Sequence, residues 1–293
     1  MEPSISGLHV PLITPFTDEG GLAPEALEKL AHAVLSDGAM GLVVFGTTGE
    51  AAALTGAERH TVLDVCARVC RERDATLIAG AGSNNTASTV QTLRDLAAWP
   101  EVSAALTVVP YYTRPSQEGV VAHFTRLAAD SPVPLIVYNV PYRTGTVLSG
   151  QTLLQLAAVP GIAGVKHAAG AIDDDTIMLM AGRPGNFAVL AGDDIFASPL
   201  LALGAAGGIL ASAHLRTGEF AGLIDDWHCG RAGQARELGH RLAPLSAALF
   251  AEPNPVVIKG VLHAQGKIPS PAVRLPLLPA SQDSVRAAIG LIG

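Results

Sequence analysis

Positive charge is scarce in this chain. Its 293 residues carry 19 lysines and arginines against 26 acidic residues, a formal net charge of −7, and only four of the nineteen are lysines. With no basic cluster, nucleic acid is excluded as an expected partner, and a small anionic substrate would have to meet its own local positive groups. Cysteine is nearly absent. Cys66 and Cys70 lie one helical turn apart and Cys229 stands far away, which makes neither a disulfide framework nor a zinc spacing and predicts reduced core thiols. No pair of histidines stands at ligand spacing, so no metal is expected. Although 49% of the residues are hydrophobic, no run of eighteen lacks turn signals, and no membrane span is expected. The segment Met1-Glu2-Pro3-Ser4-Ile5-Ser6-Gly7 has no basic start and no apolar stretch, unlike a signal peptide, and a cytoplasmic protein is expected.

What the chain does have is a regular alternation of short apolar runs with longer segments of helical period. The candidate strands are His9–Phe16, Gly41–Gly46, Thr76–Gly80, Ala104–Pro110, Pro134–Asn139, Ile162–His167, Phe187–Gly192 and Gly207–Ser212. Amphipathic stretches such as Ala23–Leu35, Thr55–Arg71, Ala87–Ala98, Gln117–Ala129 and Gln151–Val159 lie between them. Eight strands, each followed by a helix, predict an α/β fold of the (β/α)8 TIM-barrel type. A doubly wound open sheet also alternates, but no G-x-G-x-x-G follows the first strand. The barrel is placed over residues 1–226. Helical patterns at Gly218–Asp226, Arg231–Ala251 and Val256–Ala264 lead into a small C-terminal helical region over residues 227–293.

A barrel places its chemistry at the C-terminal ends of its strands. Lys166 ends the apolar run Gly161-Ile162-Ala163-Gly164-Val165. Desolvation there would lower its pKa and make the free amine a nucleophile able to form a Schiff base with a carbonyl substrate; a strand lysine can also simply pack its stem and send its head to solvent. The second candidate strand ends in Gly46-Thr47-Thr48-Gly49-Glu50. Its turn would offer backbone N–H groups and two hydroxyls to a carboxylate, or serve as an ordinary turn with a threonine capping the next helix. Tyr111 and Tyr112 follow the fourth strand and Tyr138 lies at the end of the fifth, where phenols either close a barrel mouth or transfer protons. Arg143 is either a solvated loop residue or a carboxylate clamp.

With these residues in view, the chain resembles the dihydrodipicolinate synthase family over nearly its whole length. The resemblance rests on Gly46-Thr47-Thr48-Gly49-Glu50, Pro110-Tyr111-Tyr112-Thr113-Arg114-Pro115-Ser116-Gln117-Glu118-Gly119, Tyr138-Asn139-Val140-Pro141-Tyr142-Arg143-Thr144-Gly145, Gly192-Asp193-Asp194 and Glu252-Pro253-Asn254-Pro255. It implies that Lys166 forms the imine with pyruvate, Tyr138 is the neighbouring acid/base, and Thr47 and Tyr112 complete a hydroxyl relay, Tyr112 from a neighbouring subunit. Gly46 and Thr48 would lie at the pyruvate carboxylate, Ile209 would line the pyruvate site with its backbone, and Arg143 would bind a carboxylate of the aldehyde. The implied reaction joins pyruvate and aspartate 4-semialdehyde into 4-hydroxy-tetrahydrodipicolinate without a cofactor, in a homotetramer built as a dimer of tight dimers. Because the superfamily shares its imine, an alternative is a pyruvate-dependent aldolase or dehydratase acting on a hydroxy-oxo acid or sugar acid. A barrel that only binds an oxo acid, as a sensor, is a third reading.

Three departures from the family pattern stand out. His167 replaces a usual glutamate, and strand alternation should send it into the helix layer, away from Lys166. His214 stands where asparagine is common, at the catalytic face. The positions that hold the effector amine in lysine-inhibited members are here Ser88, Gly56 and Arg59. With no carboxylate among them, although Asn84 and Tyr111 remain, weak or absent lysine feedback is expected.

Overall fold

The computed structural model of the protein describes residues 5–292. Eight strands follow one another in chain order around a closed barrel: β1 (Gly7–Pro11), β2 (Gly41–Val44), β3 (Thr76–Gly80), β4 (Val102–Val108), β5 (Leu135–Asn139), β6 (Ile162–His167), β7 (Ala188–Ala191) and β8 (Gly207–Ile209). The pairs β1–β2, β4–β5, β5–β6, β6–β7 and β7–β8 are parallel. The helices are α1 (Pro24–Ser36), α2 (Gly56–Arg73), α3 (Thr86–Asp95), α4 (Gln117–Asp130), α5 (Pro141–Thr144), α6 (Gly150–Ala157), α7 (Asp174–Gly182), α8 (Ala197–Ala202), α9 (Ala213–His228), α10 (Ala232–Leu249), α11 (Val256–Ala264) and α12 (Gln282–Gly290). This is the expected (β/α)8 architecture followed by C-terminal helices. The reading of the N-terminal segment lies, for residues 1–4, outside the described residues, as does residue 293.

Several boundaries differ from expectation. The strand expected over His9–Phe16 ends at Pro11, and Phe16 instead makes an isolated antiparallel bridge with Leu22. The helix expected from Gly218 begins at Ala213 and bends at Arg216, whose φ of −141° and ψ of 47° lie outside the helical region. Helix α5 has no counterpart among the expected helices, and α12 falls within the expected C-terminal helical region without a pattern of its own.

Two compact units divide the contacts. One comprises residues 5–7 with Ile78–Ile209, the other Leu8–Leu77 with the chain from Leu210 onward. In the first, neighbouring helices pack in sequence, α3 on α4, α4 on α6 and α6 on α7. Their buried residues Phe124, Leu127, Leu153, Leu156 and Leu179 form a core with Leu106, Ile136, Val137, Val165 and Leu190 of the strands. Each such side chain contributes about 1.5–3 kcal/mol relative to exposure. Helix starts are set by side-chain caps: Asn85, Ser116, Ser149 and Asp173 each accept an N–H of the first turn of α3, α4, α6 and α7.

In the second unit, α1 packs on α2 and α9 on α10, with α11 against α9 and α12. Leu27, Leu30, Ala31 and Val34 recur at helical spacing and bury one face of α1. Helix α2 opens with a capping box, in which Thr55 accepts from the Glu58 amide while the Glu58 side chain accepts from the Thr55 amide. Among the described residues no helix is long and apolar enough to cross a membrane.

Candidate active site

Strand β6 carries Lys166 to its C-terminal end. Tyr138 is its register partner on β5, and the Lys166 amine lies 4.4 Å from the Tyr138 ring centre. Only 6% of Lys166 is exposed, so the arrangement with a packed stem and a solvated head does not hold. Burial lowers the pKa of the amine to about 8, an effect opposed by Asp194 and Asp193 and assisted by Arg143. An amine in that range is available as a nucleophile near neutral pH. The backbone is shaped around it: a Cβ added to Gly192 would come 2.8 Å from Lys166 Cγ and 3.1 Å from the His167 carbonyl oxygen.

Arg143 sits on the short helix α5 directly after β5, with its side chain exposed. Its Nε donates to the Tyr142 hydroxyl at 3.0 Å, and its guanidinium carbon lies 4.9 Å from that ring's centre. The turn is closed by Gly145 in the left-handed region, φ 71°, where any Cβ would meet Arg114 Nε at 2.6 Å. The Asp193 carboxylate accepts the Gly170 amide at 2.8 Å. Its own pKa is raised by burial, against that hydrogen bond and the charges of Lys166 and Arg143. In the sequence the only signal of Asp193 and Asp194 is a pair of carboxylates directly after the seventh strand. Ile209 ends β8 and is fully buried.

Tyr112 lies in the loop after β4. It is 89% exposed and held at φ 70°, a left-handed conformation that is strained for an aromatic residue.

His167 points as strand alternation requires. It is buried, with Nδ1 3.3 Å from Asn139 Nδ2 and Nε2 3.0 Å from the Thr176 hydroxyl, which lies 2.6 Å from an Asp173 carboxylate oxygen. The carboxylate can only accept, so Thr176 donates to it, His167 Nε2–H donates to Thr176, and Nδ1 accepts from Asn139. Burial lowers the His167 pKa, in keeping with this neutral tautomer.

In the other unit, Thr47–Gly49 form a 3₁₀ turn after β2, closed by the Gly49 amide on the Gly46 carbonyl and the Glu50 amide on the Thr47 carbonyl, each at 3.1 Å. The leading amides of such a turn have no partner within it. Thr55, not Thr47 or Thr48, caps the following helix, so the capping role once open to this segment belongs elsewhere. Thr48 is buried and its hydroxyl oxygen accepts from Asn254 Nδ2 at 2.9 Å, while the Thr14 hydroxyl donates to the Gly49 carbonyl at 2.7 Å. His214 is locked by backbone on both sides. Its Nδ1 donates to the Ala211 carbonyl at 2.7 Å and its Nε2 accepts the Ile13 amide at 3.1 Å, and burial pushes its pKa down to about 4. It braces the segments after β8 and β1 as a neutral group. Among the described residues no cluster of three or more His, Cys, Asp or Glu side chains is placed to hold a metal ion.

A sequence model of the dihydrodipicolinate synthetase family matches residues 4–290. The 4-hydroxy-tetrahydrodipicolinate synthase of Neisseria meningitidis serogroup B is 38% identical over 292 residues, 99% of each chain. The enzyme of the same name from Methanothrix thermoacetophila is 36% identical over 278 residues, 95% of this chain and 92% of the relative. Among solved structures, the chloride-inhibited dihydrodipicolinate synthase of Acinetobacter baumannii in complex with pyruvate is 35% identical. It covers 99% of both chains with a TM-score of 0.94.

Proposed function

This chain belongs to the dihydrodipicolinate synthetase family, and on that premise we propose that Lys166 is the imine-forming amine of a 4-hydroxy-tetrahydrodipicolinate synthase. The enzyme condenses pyruvate with aspartate 4-semialdehyde in lysine and diaminopimelate biosynthesis. The observation that supports the role of Lys166 most is its burial beside Tyr138 with an amine pKa near 8.

The free amine attacks the pyruvate ketone, and the hydroxyls of Tyr138, Thr47 and Tyr112 carry protons as water leaves the carbinolamine. The imine withdraws electrons from the methyl carbon, which loses a proton and becomes an enamine. The enamine carbon adds to the aldehyde, whose carboxylate pairs with Arg143. The amine of the second substrate then attacks the imine carbon, releases Lys166 and closes the ring. Gly46 and Thr48 hold the pyruvate carboxylate, and the Ile209 backbone lines the pyruvate site.

Tyr112 takes its part from a second subunit, in a homotetramer made as a dimer of tight dimers. Its exposure and strained backbone support an intersubunit role. The barrel over 1–226 carries the chemistry, the region 227–293 supports it, and the enzyme works in the cytoplasm. Ser88, Gly56 and Arg59 supply no carboxylate for an effector amine, so submillimolar lysine should leave activity unchanged.

Borohydride reduction in the presence of pyruvate, followed by mass spectrometry, should place one adduct on Lys166. An unmodified Lys166 would refute the imine and favour a barrel that only binds an oxo acid. Turnover with aspartate 4-semialdehyde should exceed that with 4-hydroxy-2-oxoglutarate, and the reverse preference would transfer the reaction to the aldolase alternative.

A further inference from the structure

A buried ion cluster joins the C-terminal helices to the Thr47–Thr48 turn. Lys259, on α11, is 0% exposed. Its ammonium donates to one Glu50 carboxylate oxygen at 2.5 Å and to the Ala272 carbonyl at 2.8 Å, and it lies 4.1 Å from the centre of the Phe16 ring. The second Glu50 oxygen accepts the Arg274 backbone amide at 2.9 Å. The Arg274 side chain stacks over Phe16 at 4.3 Å, grips both oxygens of Glu58, and donates to the carbonyls of Gly20 and Ala53.

Two features of this cluster are unfavourable in themselves. A buried ion pair is no more stable than a well-packed apolar pair of similar volume, and Glu50 is held at φ 51°, a left-handed conformation poor for a non-glycine residue. Strain of this kind collects where geometry serves function. Glu50 is the residue on which the Thr47–Gly49 turn ends and the next turn, Ala51–Ala53, begins. On the same turn, Thr48 Oγ1 already accepts from Asn254, so its hydroxyl proton is directed elsewhere and is free to be donated.

We infer that Lys259 is a positioning residue for pyruvate: through Glu50 it holds the 46–50 turn in the conformation that presents the Thr48 hydroxyl and the leading amides to the substrate carboxylate. This rests on the role proposed above for Thr48. The region 227–293 then has a stated task, because Asn254, Lys259 and Arg274 all come from it. The effect falls on pyruvate binding and not on the amine of Lys166 or on the aldehyde.

The test compares Lys259→Met, Glu50→Gln and the double variant Glu50→Leu/Lys259→Met, which fills the site without charge. Each is melted to establish that it folds, and the pyruvate concentration for half-maximal borohydride trapping is measured with KM for both substrates. The expected result is a half-saturating pyruvate concentration raised about tenfold or more, the scale of losing hydrogen bonds to a charged group. Trapping at saturating pyruvate and KM for the aldehyde should remain near the parent values. A double variant, or Glu50→Gln should the double variant not fold, with the parent's half-saturation would overturn the inference. So would a reduced maximal trapping at unchanged half-saturation. Absence of any adduct in the parent enzyme would instead refute the imine itself.

Discussion

Lowering the pH from 9 to 6 should slow the imine formation proposed for Lys166 in a way that reports its surroundings. With an amine pKa of about 8, the neutral fraction falls roughly ninety-fold across that interval, and it is nearly level above pH 8.5. A lysine keeping the ordinary value of 10.5 would lose about a thousand-fold and would still be climbing tenfold per unit at pH 9. At pH 7 the buried amine offers about 300 times more nucleophile than the ordinary one. The assay is the initial rate of borohydride trapping at subsaturating pyruvate, which follows the free enzyme. Two substitutions give opposite signs. Asp193→Asn removes a charge that holds the amine's pKa up, so the inflection should move to lower pH; Arg143→Met removes one that holds it down, so the inflection should move to higher pH. A rate still rising about eightfold per unit at pH 9.5, or shifts of the reverse sign, would refute this account of Lys166.

Gly192→Ala would push a methyl to 2.8 Å from Lys166 Cγ. Trapping should fall at least tenfold in a protein that still folds, and parent-level trapping would contradict the geometry. His214 has a folded pKa of about 4 against an ordinary 6.5, so the unfolded chain takes up its proton first and stability drops as pH falls through that window. Between pH 7 and 4.5 this amounts to about 2 kcal/mol. In urea titrations His214→Asn, which keeps a donor for the Ala211 carbonyl and carries no titrating proton, should lose that much less than the parent; equal losses would show that His214 is not the linked group. Lys259→Met alone leaves Glu50 buried and unpaired and should cost about 3–5 kcal/mol, most of it recovered in Glu50→Leu/Lys259→Met. Equal melting of the single and double variants would contradict the pairing.

Much of the frame was legible because it is written locally. An apolar run ending in lysine marks β6 and the strand end that carries Lys166, and Thr55 with Glu58 marks the start of α2 within four residues. The boundaries that moved have local causes as well. Helix α12 buries only Ala288 among its residues, too little for a helical stripe to show in the pattern. Helix α9 changes direction at Arg216, so one continuous period cannot describe it. The partners of the turn were not legible by pattern, because Asn254 lies 206 residues from Thr48 and Lys259 lies 209 from Glu50. Nothing in helical or strand periodicity couples positions so distant. Likewise a carboxylate such as Asp193 gains its influence on Lys166 from burial and proximity, which only the fold supplies.

The chain of donors from Asn139 through His167 and Thr176 to Asp173 has a direction, and the direction limits how this sequence can change. A glutamate at position 167 accepts only, so it would require the Thr176 hydroxyl proton that Asp173 now takes, and two acceptors would face each other 2.6 Å apart. The step between histidine and glutamate is therefore not a single substitution but a coupled one. Exchange at 167 should be tolerated only in company with a donor-capable residue at 173, and each change alone should be worse than both together.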